Sequence, residues 1–196
     1  MNKRTVYLLG WLTLLGFGGG GLFLFYFINE SCPLDLLRGG KALYIQIPLG
    51  LLYGLVSAMA VMLIMSHPVM LKEKERYKDM LGPMNLRWRD IIFLSFCAGF
   101  GEEMFFRAFL QPHTGIWLTS IIFVVLHGYL NPKRPIFFYG LFLIFDIAGM
   151  GWLFDNVGPW TAVSAHFLID VILLAHLGDG EEDEETLLRS EFPENL

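Results

Sequence analysis

Long apolar stretches separated by short polar segments constrain the fold of this chain more than any other feature of its sequence. The stretches cover residues 5–28, 42–65, 90–110, 115–127, 136–154 and 160–177. A helix needs about 20 apolar residues to cross the hydrocarbon of a bilayer. Hydrophobic residues make up 55% of the sequence and charged residues 17%, and the mean hydropathy is +0.52. These values exclude an ordinary soluble domain and predict an all-α, polytopic membrane bundle of about six transmembrane helices.

Lysine and arginine residues are distributed unevenly between the predicted loops. If both termini are cytoplasmic, the inner segments hold Lys3, Arg4, Lys72, Lys74, Arg76, Lys78, Arg87, Arg89, Lys133, Arg134 and Arg189. The outer loops then hold only Arg38 and Lys41. The positive-inside rule therefore predicts an integral protein of the cytoplasmic membrane with both termini on the inner side.

The polar segments outside the predicted spans divide the chain into one domain and a tail. Residues 71–79 carry mixed charges and are typical of a solvated interfacial helix rather than a nucleic-acid patch. Residues 1–178 are predicted to form a single integral-membrane domain. Residues 179–196 are strongly acidic, which predicts a disordered cytoplasmic tail. The expected partners are the lipid bilayer and a membrane-associated substrate, with no nucleic acid.

Three charged residues interrupt the third apolar stretch. Charges at that depth cost roughly 2.5–3.5 kcal/mol each on insertion scales, so each needs a partner or a function. Glu103 and Arg107 are four residues apart with the acid first, which is the favourable spacing for an ion pair on a helix. Glu102 points about 100° away and has no basic residue at three or four positions further on. The spacing therefore predicts a supporting ion pair and one free intramembrane glutamate, which is a candidate functional residue.

Four more titratable residues lie inside predicted spans: His127, Asp146, His166 and Asp170. Glu102 and His127 lie on opposite sides of the turn at 112–114, both roughly 16–20 Å from it at 1.5 Å per residue. His166 and Asp170 are four residues apart on one face of the sixth span, roughly 10–17 Å from the turn at 158–159. We expect Glu102, both histidines and Asp170 to share one layer near the middle of the membrane.

A glutamate and a histidine in one partly dry cavity form a plausible acid–base pair. Glu102 and His127 would take a proton from water and direct the water at a carbonyl carbon. His166 with a neighbouring polar group would donate hydrogen bonds to the developing oxyanion. The open alternatives for Asp146 are an ion pair with Arg107, a place in the lining of a water-filled cavity, and adjustment of the site.

Zinc held by Glu102, His127 and His166 is a chemically possible alternative, since one carboxylate and two imidazoles form a known catalytic set. However, the sequence has no His-Glu-x-x-His motif, and Glu102 would then become a ligand instead of a base. The site is therefore predicted to work without a metal or other cofactor.

At these residues the chain resembles the CPBP family, the CAAX-protease and bacteriocin-processing membrane proteins also named Abi. The shared motifs are Glu-Glu-x-x-x-Arg at 102–107, Phe-x-x-x-His at 123–127 and His-x-x-x-Asn/Asp at 166–170. Residues 149–158 also resemble the segment that precedes the last motif. The motifs occur in the same order as in the family, and the similarity covers residues 98–177.

The resemblance implies a glutamate-dependent intramembrane endopeptidase. Glu102 and His127 would activate water, His166 and Asp170 would form the oxyanion site, and Glu103 with Arg107 would brace the motif helix. Some members have Asn at the last position, and Asn can donate a hydrogen bond. An ionised Asp170 cannot, so it either stays protonated or orients and charges His166. The CAAX activity also requires a prenylated substrate, which leaves the substrate class open.

Two other functions compete with a peptidase. A proton- or ion-coupled carrier would use the glutamate, histidines and aspartate as a relay. Against a carrier, the polar residues cluster in one layer instead of forming a ladder across the bilayer. A non-catalytic immunity or scaffold protein would retain the motifs for packing.

Overall fold

The computed structural model describes residues 3–178, so the acidic tail predicted at 179–196 lies outside the described residues. In that part of the chain every regular element is a helix. The helices are α1 (Lys3–Asn29), α2 (Pro33–Arg38), α3 (Leu43–Met65), α4 (Leu71–Leu81), α5 (Trp88–Glu103), α6 (Gln111–Leu126), α7 (Ile136–Asn156) and α8 (Pro159–Gly178). A π-helical stretch, Met104–Leu110, joins α5 to α6, and a second one, Thr13–Gly19, lies inside α1. The all-α polytopic fold is therefore confirmed.

Five helical runs are long and apolar enough to cross a membrane, namely Lys3–Asn29, Leu43–Met65, Trp88–Leu126, Ile136–Asn156 and Pro159–Leu177. The run from residue 88 to 126 contains both the third and the fourth predicted spans. It folds back at Gly115, whose backbone has φ 78° and ψ 164°. The rings of Phe106 and Phe123 lie 4.9 Å apart, whereas a straight helix would separate these residues by roughly 25 Å.

The returning limb of this hairpin is short. From Gly115 to the end of α6 at Leu126 it measures roughly 17 Å at 1.5 Å per residue, against about 30 Å for the hydrocarbon of a bilayer. The predicted fourth span is therefore half of a hairpin and ends at the depth of Glu102, where His127 follows it. Because the third and fourth predicted spans are the two limbs of one helical run, five runs are found in place of about six predicted helices.

Glycines allow α3 and α8 to pack at very close range. A Cβ atom on Gly54 would lie 2.5 Å from the carbonyl oxygen of Ala165, and one on Gly50 would overlap the carbonyl oxygen of Thr161. The two glycines are four residues apart on one face of α3, the small-residue spacing that brings membrane helices together. This contact fixes α8, which carries His166, against α3.

Helix α1 packs against α5, and α4 lies across the end of the bundle. A Cβ atom on Gly18 would lie 3.1 Å from the Cα atom of Gly101, so the two backbones are in contact. The helix predicted at 71–79 is observed as α4. An ion pair between Glu73 and Arg134 ties α4 to the loop that precedes α7.

Candidate active site

The structure brings Glu102, His127 and His166 together from three different helical segments. The Glu102 Oε2 atom lies 3.6 Å from His127 Nε2 and 3.9 Å from His166 Nε2. This oxygen is buried and makes no hydrogen bond to any of residues 3–178. A carboxylate oxygen buried without a donor is unfavourable unless a ligand or water supplies one. Glu102 is thus held ready to accept a hydrogen bond from something outside the protein.

Glu103 and Arg107 form the ion pair that their spacing predicts. The Arg107 Nε atom donates to Glu103 Oε2 at 3.1 Å, and both side chains are fully buried. Arg107 also donates to Gln111 Oε1 at 3.1 Å and to the carbonyl oxygen of Ile147 at 3.0 Å. The guanidinium group therefore joins the segment 102–107 to α7 and also neutralises Glu103. The link to α7 was not expected from the sequence.

Glu103 has a second partner that helical spacing does not reveal. Its Oε1 atom lies 2.9 Å from Nδ1 of His166. A carboxylate can only accept, so Nδ1 of His166 carries the hydrogen and donates it. This bond fixes the ring orientation and turns Nε2 toward Glu102 and toward Asp170, whose Oδ2 atom is 3.8 Å away. Glu103 thus orients His166, although the two residues lie on different helices.

Phe123 and its own backbone position His127. The two rings stack with their centroids 4.2 Å apart, and His127 Nδ1 bonds the carbonyl oxygen of Phe123 at 2.8 Å. Because a carbonyl oxygen accepts, Nδ1 carries the hydrogen in this bond. In the neutral ring Nε2 therefore has a free lone pair, and this atom faces Glu102. The side chain is 32% exposed, so the site is open at the end of α6.

Comparison with known proteins agrees with this arrangement of motifs. Residues 84–172 match the family model described as Type II CAAX prenyl endopeptidase Rce1-like. This segment resembles the Rce1-like family. It contains all three motifs on which the resemblance to the CAAX-protease family was based, and that resemblance is confirmed.

The chain is also 32% identical over 117 residues to a protein of Bacillus subtilis (strain 168) described as "Uncharacterized protein YpbD". The similarity covers 54% of this chain and 58% of that protein, so the chain spans little more than half of the relative's length. No solved structure matches the chain.

A cavity of about 140 Å³ lies among the three motifs and is large enough for several water molecules. Glu102, His127, His166 and Asp170 line it together with Asp146. Of the three alternatives for Asp146, the structure shows a place in the cavity lining. The guanidinium of Arg107 bonds the backbone of the neighbouring residue instead.

A second cavity of about 240 Å³ adjoins the first and is lined mainly by apolar side chains. It lies between α4 and the ends of α3 and α8, and it shares Tyr129, Tyr139, Asp170 and Leu173 with the first cavity. Burial raises the pKa of Tyr129 well above its ordinary value. Its hydroxyl therefore stays protonated at the junction of the two cavities.

Within residues 3–178 no three His, Cys, Asp or Glu side chains form a group that would hold a metal ion. The effect of a chelator on activity tests the zinc alternative at Glu102, His127 and His166.

Proposed function

We propose that this chain is an intramembrane endopeptidase of the CAAX type that hydrolyses a peptide bond with a water molecule activated by Glu102 and His127. The observation that carries the proposal is the buried Oε2 atom of Glu102, which lacks a hydrogen bond within the described residues and faces two imidazole nitrogens. The similarity of residues 84–172 to Rce1-like endopeptidases supports the same reaction class.

The reaction begins when a water molecule enters the cavity between Glu102 and His127. Glu102 accepts one proton of the water as general base, and Nε2 of His127 accepts a hydrogen bond from the other, which aims the oxygen at the carbonyl carbon. Attack forms a tetrahedral intermediate with a negative charge on the former carbonyl oxygen. Glu102 then delivers its proton to the leaving amine, the C–N bond breaks, and the carboxylate is restored.

His166 is placed to stabilise the oxyanion of that intermediate. As an imidazolium it has an N–H at Nε2, and the carboxylate of Glu103 on Nδ1 balances its charge. Asp170 Oδ2 lies 3.8 Å from the same Nε2 atom. In this role Asp170 is ionised, and it charges and orients His166. Of the two options for an Asp where some family members have Asn, this is the second.

The substrate is a membrane-associated peptide with an apolar segment beside the scissile bond. The apolar cavity continues directly from the one that holds Glu102, so residues or a lipid group next to the cleaved bond can leave water for it. A panel of lipidated and unlipidated peptides with the same sequence distinguishes a requirement for lipid from a requirement for apolar residues.

The decisive experiment compares wild-type protein with Glu102→Gln in detergent and in liposomes. Loss of the general base lowers the cleavage rate by about 10²–10⁴-fold. Gln keeps the size of the side chain, so the unfolding transition stays close to that of the wild type. Asp35→Asn on α2 is an exposed carboxyl-to-amide control and keeps full activity.

Three outcomes contradict this proposal. Cleavage by Glu102→Gln within tenfold of the wild-type rate rules out the glutamate as base. Loss of activity with a chelator and recovery with zinc assigns the three side chains to a metal site. The third outcome is the absence of any cleavage: acidification of liposomes then identifies a carrier, and partner binding that is unchanged in Glu102→Gln identifies a scaffold.

A further inference from the structure

Asp146 contributes a third carboxyl group to the catalytic cavity, and the mechanism above gives it no part. It projects from the middle of α7 into the cavity that holds Glu102 and His166. Ser57 Oγ of α3 donates a hydrogen bond to its Oδ1 atom at 2.5 Å. The hydroxyl of Tyr53 also interacts with this carboxyl group. A carboxylate accepts up to about four hydrogen bonds, so these two neighbours leave acceptor capacity on the cavity side.

The backbone around Asp146 is fixed from both sides of α7. The hydroxyl of Tyr53 on α3 donates to the carbonyl oxygen of Asp146 at 2.8 Å. Arg107 donates to the carbonyl oxygen of the next residue, Ile147, at 3.0 Å. Any side chain at Gly149 would collide with the hydroxyl of Tyr53. Two neighbouring helices thus hold Asp146 at one position relative to Glu102.

Hydrogen bonds from Ser57 and Tyr53 do not by themselves account for an acid at this position. The carbonyl oxygen of an asparagine would accept the same hydrogen bond, and a neutral amide is far less costly than a carboxyl group inside a membrane. A carboxyl group offers what an amide does not, acceptors on both of its oxygens. The surroundings therefore indicate a donor that comes into the cavity with the substrate.

We propose that Asp146 is a substrate-binding residue that accepts a hydrogen bond from a main-chain N–H of the peptide beside the scissile bond. This inference rests on the proposed endopeptidase function. A peptide drawn into a membrane bundle in extended form loses the water bonded to its N–H groups, and each unsatisfied group is costly there. Asp146 provides an acceptor for one of them from the wall formed by α7.

The test is Asp146→Asn, with Ser57→Ala as the matched control. Asn keeps the bond to Ser57 and loses the second acceptor, so KM rises about 10- to 100-fold while kcat stays within about threefold, the pattern of lost uniform binding. Ser57→Ala removes the bond between the helices and keeps the carboxyl group, so KM changes by less than about threefold. If Asp146 is merely structural, Ser57→Ala is at least as harmful as Asp146→Asn.

Depsipeptide substrates locate the bond directly. Replacing each amide next to the scissile bond by an ester removes one N–H at a time, and at one position this raises KM for the wild type but not for Asp146→Asn. Peptide affinity measured in the Glu102→Gln background gives the same comparison without cleavage.

The outcomes separate the two proposals. Wild-type KM in Asp146→Asn, or equal ester effects in both proteins, overturns the role of Asp146 and leaves the endopeptidase proposal intact. Absence of both cleavage and peptide binding overturns both.

Discussion

Replacing Arg107 by methionine tests whether one guanidinium group holds the motif helix in place. The side chain is fully buried and makes three hydrogen bonds, to Glu103, Gln111 and the backbone of Ile147. Methionine fills similar space but removes the guanidinium group and leaves the buried carboxylate of Glu103 with its bond to His166. Breaking a buried ion pair in this way costs about 3–5 kcal/mol. The ratio of folded to unfolded protein should therefore fall by roughly two to three and a half orders of magnitude.

The size of that loss depends on the charge that remains, and a double variant measures this. Glu103→Gln with Arg107→Met removes both charges, and the amide can still bond Nδ1 of His166. We expect the double variant to be about 1–3 kcal/mol more stable than Arg107→Met alone, because residues in direct contact are coupled by energies of about this size. Equilibrium unfolding in mixed micelles, followed by tryptophan fluorescence, gives the free energy of unfolding of the wild type, the two single variants and the double variant.

Two results would refute this reasoning. An Arg107→Met protein within about 1 kcal/mol of the wild type would show that the pair contributes little to the fold. Strictly additive effects of the two substitutions would show that the pair does not interact, whatever their distance in the structure.

Two further predictions concern packing and rotamer control. Gly54→Val places methyl groups against the backbone of Ala165 and should lower the free energy of unfolding by about 1–3 kcal/mol. Gly19→Val is the control and should stay close to the wild type, because a Cβ atom there meets nothing within 4 Å. Equal losses in the two variants would contradict the close α3–α8 contact. Phe123→Leu removes the ring stacked on His127, a contact that contributes about 0.5–1.5 kcal/mol. This substitution should lower kcat up to about tenfold and leave KM within twofold of the wild type. An unchanged kcat would show that the ring does not position the histidine.

Hydropathy and charge predicted the positions of most helices to within a few residues. The second span, predicted at 42–65, is observed at Leu43–Met65, and the fifth, predicted at 136–154, at Ile136–Asn156. The limb after Gly115, predicted at 115–127, likewise ends at Leu126. Average hydropathy does not show that this limb and the third span form one helical run that turns at a single backbone position with positive φ.

Helical period predicted contacts along one helix but not contacts across helices. The rule that pairs Glu103 with Arg107 also predicts a contact between Arg107 and Gln111, four residues further on, and the structure contains that bond. The bond from Glu103 to His166 has no such signal, because it depends on how α5 and α8 are rotated against each other. The bond of Asp146 to Ser57 depends in the same way on α3.

Glu102 and Glu103 are consecutive in the chain, but the proposed mechanism gives only Glu102 a part in proton transfer, whereas Glu103 bonds Arg107 and His166. Alanine at either position should abolish hydrolysis, so a scan that records turnover alone would count two catalysts. Heat resistance tells them apart: the protein lacking the first acid melts like its parent, and the one lacking the second melts early. Inactive variants of neighbouring acids in membrane hydrolases therefore need a melting curve before either acid is given a chemical role.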